Sequence, residues 1–480
     1  MSTKKILALI LSASMALTLA ACSNDGNTEN PDNTTSSAGN QSENGDDGSG
    51  GSNEDGNSGN SGNSDNSDNS DNNAAELPPE ADNSYDLTIL DANDTSYADG
   101  VEDTEYVIAD GITDKMVALS ELNLGNQVRL ADVMKRAEAG EEITVAYIGG
   151  SITQGSSASD DTCYARLTTD WFEDTFPDAK VNYVRAGIGA TGSYIGVHRV
   201  ENDVLSKNPD VVFVEFSVND TTENTTRNIN SYDSLLRKIW NSDSSPAIVC
   251  IGMTQDNGTS FQNYHYSVAA QYDLPFISYK NAILHVINEG YIKWTDISDD
   301  NIHPNTTGHS VLTQIITHYL AKVNENKDSV SGDESDFSST GTKDVYANAT
   351  LLTPLNFEAK DEAGTFKAQT DSSFGNFTGF WLARAGSGEF GGAKLVFENV
   401  EAKNIGLLYG EIVGKGAMLD IYVDGVLVAT VDANFPNGWG NYTEAVELVS
   451  FTESGTHTVE IVPQDSGSSA AVYITALAVS

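Results

Sequence analysis

The sequence predicts an α/β domain built on a three-layer parallel sheet, followed by an all-β jelly-roll-like sandwich. Three observations lead there. Between residues 143 and 322, short apolar runs alternate with segments of helical spacing, the pattern of a parallel sheet covered on both faces. After a polar stretch at 327–343, helical periodicity stops and short alternating runs follow one another. Before residue 84, little is apolar beyond the first 21 residues. Of the 480 residues, about 400 remain to fold, enough for two domains with ordinary cores.

Lys4 and Lys5 precede the apolar run Ile6 to Ala21, which is too short for a comfortable membrane span and reads as an export signal over residues 1–21. Leu19-Ala20-Ala21-Cys22 resembles a bacterial lipobox, which implies that Cys22 is acylated and heads the mature chain. Residues 22–83 are Asn, Ser, Gly and Asp with almost no apolar side chain. Such a segment cannot bury enough surface to offset its chain entropy, and it is expected to be a disordered tether spanning roughly 45 Å. No later run reaches the length of a membrane span. The expectation is an exported protein, facing the extracytoplasmic side of a bacterial cell membrane and held there only by the lipid on Cys22. Cys163 and Cys250 lie in mixed apolar contexts and read as free, packed thiols.

The first folded unit is expected over 84–326. Residues 84–125 suggest a few weak strands, among them Tyr106 to Ala109. Helical spacing then covers 127–139, and Ile143 to Ile148 is a strand. Helix at 164–176, strand at 181–184, helix at 193–205 and the buried strand 211–216 follow. Helix at 232–240, strand at 247–251, helix at 263–272, strand at 276–278 and a last helix at 308–322 complete the alternation. Residues 327–343 read as a linker. From 344 to 480 the runs 393–400, 404–410, 418–423, 426–431, 445–450, 457–462 and 471–479 read as strands, with Asp424-Gly425 as a two-residue hairpin signal.

The formal net charge is -45, from 25 Lys+Arg against 70 Asp+Glu. That excess repels phosphate backbones and anionic membrane surfaces, which excludes nucleic acid as a partner. No His, Cys and carboxylate cluster shows metal-ligand spacing, so neither a metal nor a cofactor is expected.

The chemistry sits at strand ends. The strand 143–148 runs into Gly149-Gly150-Ser151-Ile152-Thr153-Gln154-Gly155, where flanking glycines permit a sharp turn and leave the Ser151 hydroxyl exposed. A neutral serine needs a base. Of the seven histidines, only His303 has an acidic residue three positions earlier, in Asp300-Asn301-Ile302-His303. A carboxylate there can hold the imidazole while the other ring nitrogen takes the serine proton. The glycine-rich run Arg185 to Gly192 can point backbone N–H groups at an oxyanion, and Asn219 in Val218-Asn219-Asp220 can add a side-chain donor.

This order of Ser, Gly, Asn and Asp-x-x-His, each at a strand end, resembles the SGNH/GDSL hydrolase family over residues 125–325. The resemblance implies an SGNH-type, flavodoxin-like sheet and a serine ester hydrolase. Ser151 matches its nucleophile, Asp300 and His303 its acid and base, and Asn219 its oxyanion asparagine. The oxyanion glycine falls at Gly189, or at Ala190 in an ungapped reading. Gly150 stands where many members have Asp, and Arg185 where Asn is common. A sandwich fused to such a domain resembles modular carbohydrate-active esterases. Trp381, Phe435, Trp439 and Tyr442 lie in turn-rich stretches, where their rings can either stack on sugars or pack in a core or between the domains, and Trp381 and Trp439 are the candidate sugar-binding residues. The implied partner is an ester substrate, an acetylated polysaccharide. The alternatives are a lipase or small-ester esterase, or a non-catalytic surface glycan-binding lipoprotein.

Overall fold

The structure is a computed structural model and describes residues 76–339, 341–466 and 469–480. The expected signal segment, Cys22 and most of the tether lie outside the described residues.

Residues 84–113 run along the α/β domain without forming the expected strands. Their backbone groups are taken up by side chains: Leu90 N–H donates to Ser267 Oγ at 2.8 Å, and Asn281 Nδ2 donates to the Ala92 carbonyl at 2.7 Å. Of the run Tyr106 to Ala109 only Tyr106 is buried, where it joins the core of the α/β domain, and a 3-10 turn at Ile108–Asp110 replaces a strand. Helix α1 (Asp114–Ser120) starts where Thr113 Oγ1 accepts from Met116 N–H, and the three-residue β1 (Glu121–Asn123) follows.

The alternation then proceeds as α2 (Val128–Glu138), β2 (Glu142–Gly149), α3 (Ser151–Gln154), α4 (Tyr164–Thr175), β3 (Lys180–Gly187), α5 (Ser193–Asp203) and β4 (Val211–Glu215). Next come α6 (Thr225–Trp240), β5 (Ala247–Gly252), α7 (Gln262–Gln271), β6 (Phe276–Ser278), α8 (Tyr279–Asn288) and α9 (Thr306–Asn326). Helix α6 starts seven residues before the expected position because its first turns are polar yet buried, through Asn228, Asn230 and Ser231. Helix α8 was not expected. Ser278 is both the last residue of β6 and the N-cap that accepts from Asn281 N–H, so no turn residue announces it.

Strand order is β1-β6-β5-β4-β2-β3, all parallel except β1, which pairs antiparallel with β6. Alternate residues divide between two faces. Val145, Tyr147, Phe213 and Ile251 pack with α2, α4, α8 and α9, whereas Ala146, Ile148, Val214 and Cys250 pack with α5, α6 and α7. The crossover from β2 through α4 and the crossover from β3 through α5 leave on opposite faces. A crevice therefore opens beyond the carboxyl ends of β2 and β4, the place where such sheets bind ligands. Cys163 and Cys250 are both buried and free.

The second module is an eight-stranded antiparallel sheet: β7 (Thr350–Leu352), β8 (Lys367–Phe374), β9 (Phe377–Arg384), β10 (Leu395–Glu411), β11 (Met418–Val423), β12 (Val426–Asp432), β13 (Tyr442–Pro463) and β14 (Ala471–Val479). The runs read as four separate strands at 393–410 and 445–462 are two long ones. β10 and β13 pair along their whole length, with a register shift between Ala402 and Asn404 that interrupts the alternation. The sheet curls around one core containing Phe397, Leu407, Leu419, Ile461 and Ile474. Asp424-Gly425 makes the β11–β12 hairpin with both residues at positive φ, the geometry of a two-residue turn.

The two modules share a core. Tyr346, Leu351, Phe377, Leu408 and Ala476 are buried with Tyr194 and Ile195 of α5. The Tyr194 ring meets Tyr346 edge-on at 5.4 Å, and Lys238 Nζ donates to the Ala349 carbonyl at 2.7 Å. The segment at 327–339 is docked as well, with Phe337 stacked on Tyr272 and Trp240. Each buried side chain left without cover loses about 1.5–3 kcal/mol, so losing several approaches the whole stability of a domain. A chain ending at Asn326 is accordingly expected to aggregate, or to melt at least about 10 °C below the full chain. Size-exclusion chromatography and calorimetry check this. A soluble monomer melting with the full-length protein would overturn it.

Candidate active site

Ser151 stands at the first position of α3, immediately beyond β2. Neither Gly149 nor Gly150 has the positive φ that a sharp left-handed turn would require. Both are needed for close approach instead. A methyl group on Gly149 would overlap Thr153 Oγ1 and the Glu215 carbonyl, and one on Gly150 would overlap Asn219 Oδ1. The serine turn, the end of β4 and the Asn219 turn thus close on one another with no room for a side chain.

His303 Nε2 lies 2.8 Å from Ser151 Oγ, and His303 Nδ1 lies 2.7 Å from Asp300 Oδ2. The other carboxylate oxygen, Oδ1, accepts the Ile302 and His303 backbone N–H groups at 2.7 Å each. The loop is held by Ser298 Oγ, which donates to the His303 carbonyl at 2.6 Å, and by Trp294 Nε1, which donates to the Asp300 carbonyl at 2.6 Å. Partial burial opposes ionisation of Asp300. The hydrogen bonds from the His303 ring and from the two backbone N–H groups outweigh it and hold the carboxyl below the usual range. An acceptor on Nδ1 leaves Nε2 to act as a base toward Ser151.

Two of the sequence candidates for an oxyanion donor separate here. The Gly189 N–H is engaged by Gln154 Oε1 at 2.7 Å. Gly189 and Ala190 both line the cavity, and Ala190 has φ 60, a left-handed conformation that suits glycine. Asn219 lines the same cavity, with Oδ1 buried against Gly150 and its amide nitrogen left as the end available to a ligand.

The cavity has a volume of about 550 Å³, and both modules wall it. The α/β domain contributes Ser151, Gln154, Ala190, Asn219 and the Asp300–His303 loop. The sandwich contributes Gly375 and Asn376 from the β8–β9 turn, and Trp439, Asn441 and Tyr442 from the approach to β13. Trp439 is 72% exposed and stacks on Tyr442 at 5.1 Å, with Phe435 edge-on to both. Trp381 is a correction. It is 3% exposed and packs edge-on against Phe397 in the sandwich core, so it offers no face to a sugar. Sequence reasoning missed Gln154, Asn376 and Asn441. Gln154 lay within the quoted serine motif, but the two asparagines carry no signal, since only the docking of the modules brings them to Ser151.

Behind the serine, Glu215 at the end of β4 is fully buried. Burial pushes its pKa up to about 8, against a weaker opposite pull from the Ser217 N–H. Burial also drives His198 and His309 down to about 4, so both are neutral packing groups. His309 accepts the Tyr164 N–H on Nδ1 at 3.1 Å and joins the start of α9 to α4. Among the described residues, Asp103, His285 and Glu289 have potential ligand atoms within 4.8 Å of one another, a grouping the sequence spacing did not suggest. None of the three lines the cavity.

The Glu215 shift has a sign. Between the ordinary glutamate range and about 8, the unfolded chain releases this proton while the folded chain keeps it. Stability therefore falls as pH rises through that window, by up to about 1.4 kcal/mol per pH unit. Glu215→Gln removes that dependence. The variant is expected to melt above the wild type at about pH 7.5, with the two converging toward about pH 5. Parallel melting-temperature profiles across that range would refute the assignment.

Residues 147–311 match the model of the GDSL-like lipase/acylhydrolase family. No curated protein matches the chain. The crystal structure of a two-domain esterase (CEX) active on acetylated mannans is 32% identical. The match covers 75% of this chain and 96% of that one, with a TM-score of 0.69. The structure of the two-domain esterase co-crystallized with mannopentaose gives the same identity and coverage, with a TM-score of 0.68. An acetylxylan esterase, Axe2 from Geobacillus stearothermophilus, is 16% identical over 37% of this chain and 94% of its own, with a TM-score of 0.32. The likeness to the two-domain esterase extends through both modules, and with the matched segment around Ser151 it places the chain in the GDSL-like lipase/acylhydrolase family of serine ester hydrolases.

Proposed function

We propose that this esterase removes O-acetyl groups from a carbohydrate polymer, with acetylated mannan as the leading substrate. The observation that carries the reading is the hydrogen-bonded chain Asp300–His303–Ser151, opening into a cavity that has an exposed aromatic platform as one wall. A flat indole and phenol stacked side by side suit the apolar face of a sugar ring, and Asn376 and Asn441 suit its hydroxyls. The activity on acetylated mannans of the two-domain relative supports the same class.

In this reading Ser151 Oγ attacks the acetyl carbonyl while His303 Nε2 takes its proton. Asp300 holds the ring through Nδ1 and stabilises the imidazolium that forms. The Ser151 N–H, the Ala190 N–H and the Asn219 amide face the developing oxyanion. Collapse of the tetrahedral species expels the sugar hydroxyl, which leaves with the proton from His303. Water, deprotonated by His303, then attacks the acetyl-serine, and acetate departs. Gln154, by engaging the Gly189 N–H, leaves Ala190 as the backbone donor.

Acetate release from acetylated mannan and from a small acetate ester tests this. Ser151→Ala is expected to lower turnover of both by about a millionfold, as in a comparable protease triad. Trp439→Ala is expected to raise KM on the polymer about tenfold, equivalent to about 1.4 kcal/mol of lost stacking, and to leave the small ester unchanged. No acetate from any acetylated polysaccharide, with the small ester still hydrolysed, would overturn the carbohydrate reading alone.

We further propose that the enzyme is exported and lipid-anchored at Cys22, which the Leu19-Ala20-Ala21-Cys22 junction supports. Cys22→Ser is expected to shift the protein from the membrane fraction to the medium, or to leave it unprocessed, with specific activity unchanged. Normal processing and membrane retention of the variant would refute acylation as the attachment.

A further inference from the structure

Asp220 and His265 form a second Asp–His pair, which takes no part in the chemistry described above. His265 Nε2 lies 2.8 Å from Asp220 Oδ2, and both side chains are almost wholly buried. The pair lies directly behind the oxyanion donors. Asp220 is the neighbour of Asn219, and both close the turn beyond β4 by donating their N–H groups to the Phe216 carbonyl at 3.0 Å. Its other oxygen, Oδ1, accepts the Ser193 N–H at 2.9 Å. Ser193 is the first residue of α5, three positions after Ala190, and Gly192 before it provides no side-chain cap. Asp220 therefore caps α5 from another element and meets the positive end of its dipole. A methyl group on Gly192 would overlap Asp220 Oδ1, so the contact requires glycine there.

One carboxylate thus ties together the two turns that carry Ala190 and Asn219. His265 holds that carboxylate in turn. Its ring is stacked on Tyr232 at 3.8 Å and is edge-on to Phe261 at 5.3 Å. Its Nδ1 is buried without a partner. A proton on Nδ1 would have no acceptor, so the ring carries its proton on Nε2 and donates it to Asp220.

We propose that Asp220 and His265 are positioning residues for the oxyanion donors, setting the spacing between the Ala190 N–H and the Asn219 amide. This rests on the reading of Asn219 as an oxyanion donor. Donors at fixed positions act on the transition state rather than on the bound ester, so the loss should fall on kcat and not on KM. It should also be routed through Asn219 and vanish once that amide is gone.

The test uses the full chain and a small acetate ester. Asn219→Ala is expected to lower kcat by a hundred- to a thousandfold. His265→Phe keeps a flat ring on Tyr232 but removes the donor, and is expected to lower kcat ten- to a hundredfold with KM within twofold. His265→Gln, which can donate to Asp220, should recover most of that loss. Adding His265→Phe to Asn219→Ala should cost less than threefold more. If His265→Phe does not fold, Asp220→Asn carries the same test, because its NH2 must face either the Nε2 proton or the Ser193 N–H, so one of the two contacts is lost. Wild-type kcat in the folded His265→Phe or Asp220→Asn protein would overturn the inference, as would losses that multiply in the double variant. Wild-type kcat in Asn219→Ala would overturn the oxyanion reading and this inference with it.

Discussion

No side chain fits at residues 149 and 150, and the arrangement of the site depends on that constraint. The end of β2 passes so close to Thr153, Glu215 and Asn219 that the serine turn, the end of β4 and the Asn219 turn close on one another. The same closeness buries Glu215 beneath the nucleophile, a group whose ionisation folding opposes. The fold accepts an unfavourable acid there because the backbone geometry at Gly149 and Gly150 leaves Ser151 Oγ in line with His303.

The loop carrying the base is held quite differently. Asp300 and His303 are partly exposed, and neither is fixed by burial. Their positions come from a dense set of local hydrogen bonds, in which the Asp300 carboxylate accepts two backbone N–H groups and one ring N–H, and Ser298 and Trp294 fasten the carbonyls. Such a loop can keep its geometry while remaining open to a bulky substrate. On the opposite side, the Ala190 and Asn219 turns lie over buried polar groups, so the donor side of the site is rigid and the base side is accessible.

The sandwich joins this arrangement in two ways. Its apolar strands complete the core beneath α5, and its turns at 375–376 and 439–442 wall the cavity. The shared core keeps those turns in register with Ser151. Trp439 can therefore stay exposed without being loose, since it leans on Tyr442 and Phe435. Trp381, chemically its equal, sits on an inward-facing strand position and is spent on packing.

The sequence by itself determined the class of both modules, because period-2 and helical patterns are local and survive without neighbours. It also determined the residues of the hydrogen-bonded chain, since Ser151 and Asp300-x-x-His303 each sit in a short motif with its own geometry. Local patterns misled where a neighbour was decisive. Polar residues buried between elements concealed the start of α6, and a strand end doubling as a cap concealed α8. What only the tertiary structure decided is everything set by approach between distant segments. Gly150 is required by Asn219, sixty-nine positions away. Gln154 takes up the Gly189 N–H beside Ala190 in the cavity wall. Asp220 finds His265, and the sandwich turns reach the serine. Side chains of one type are interchangeable in a pattern, and their roles separate only when packing places one against the core and another over the substrate.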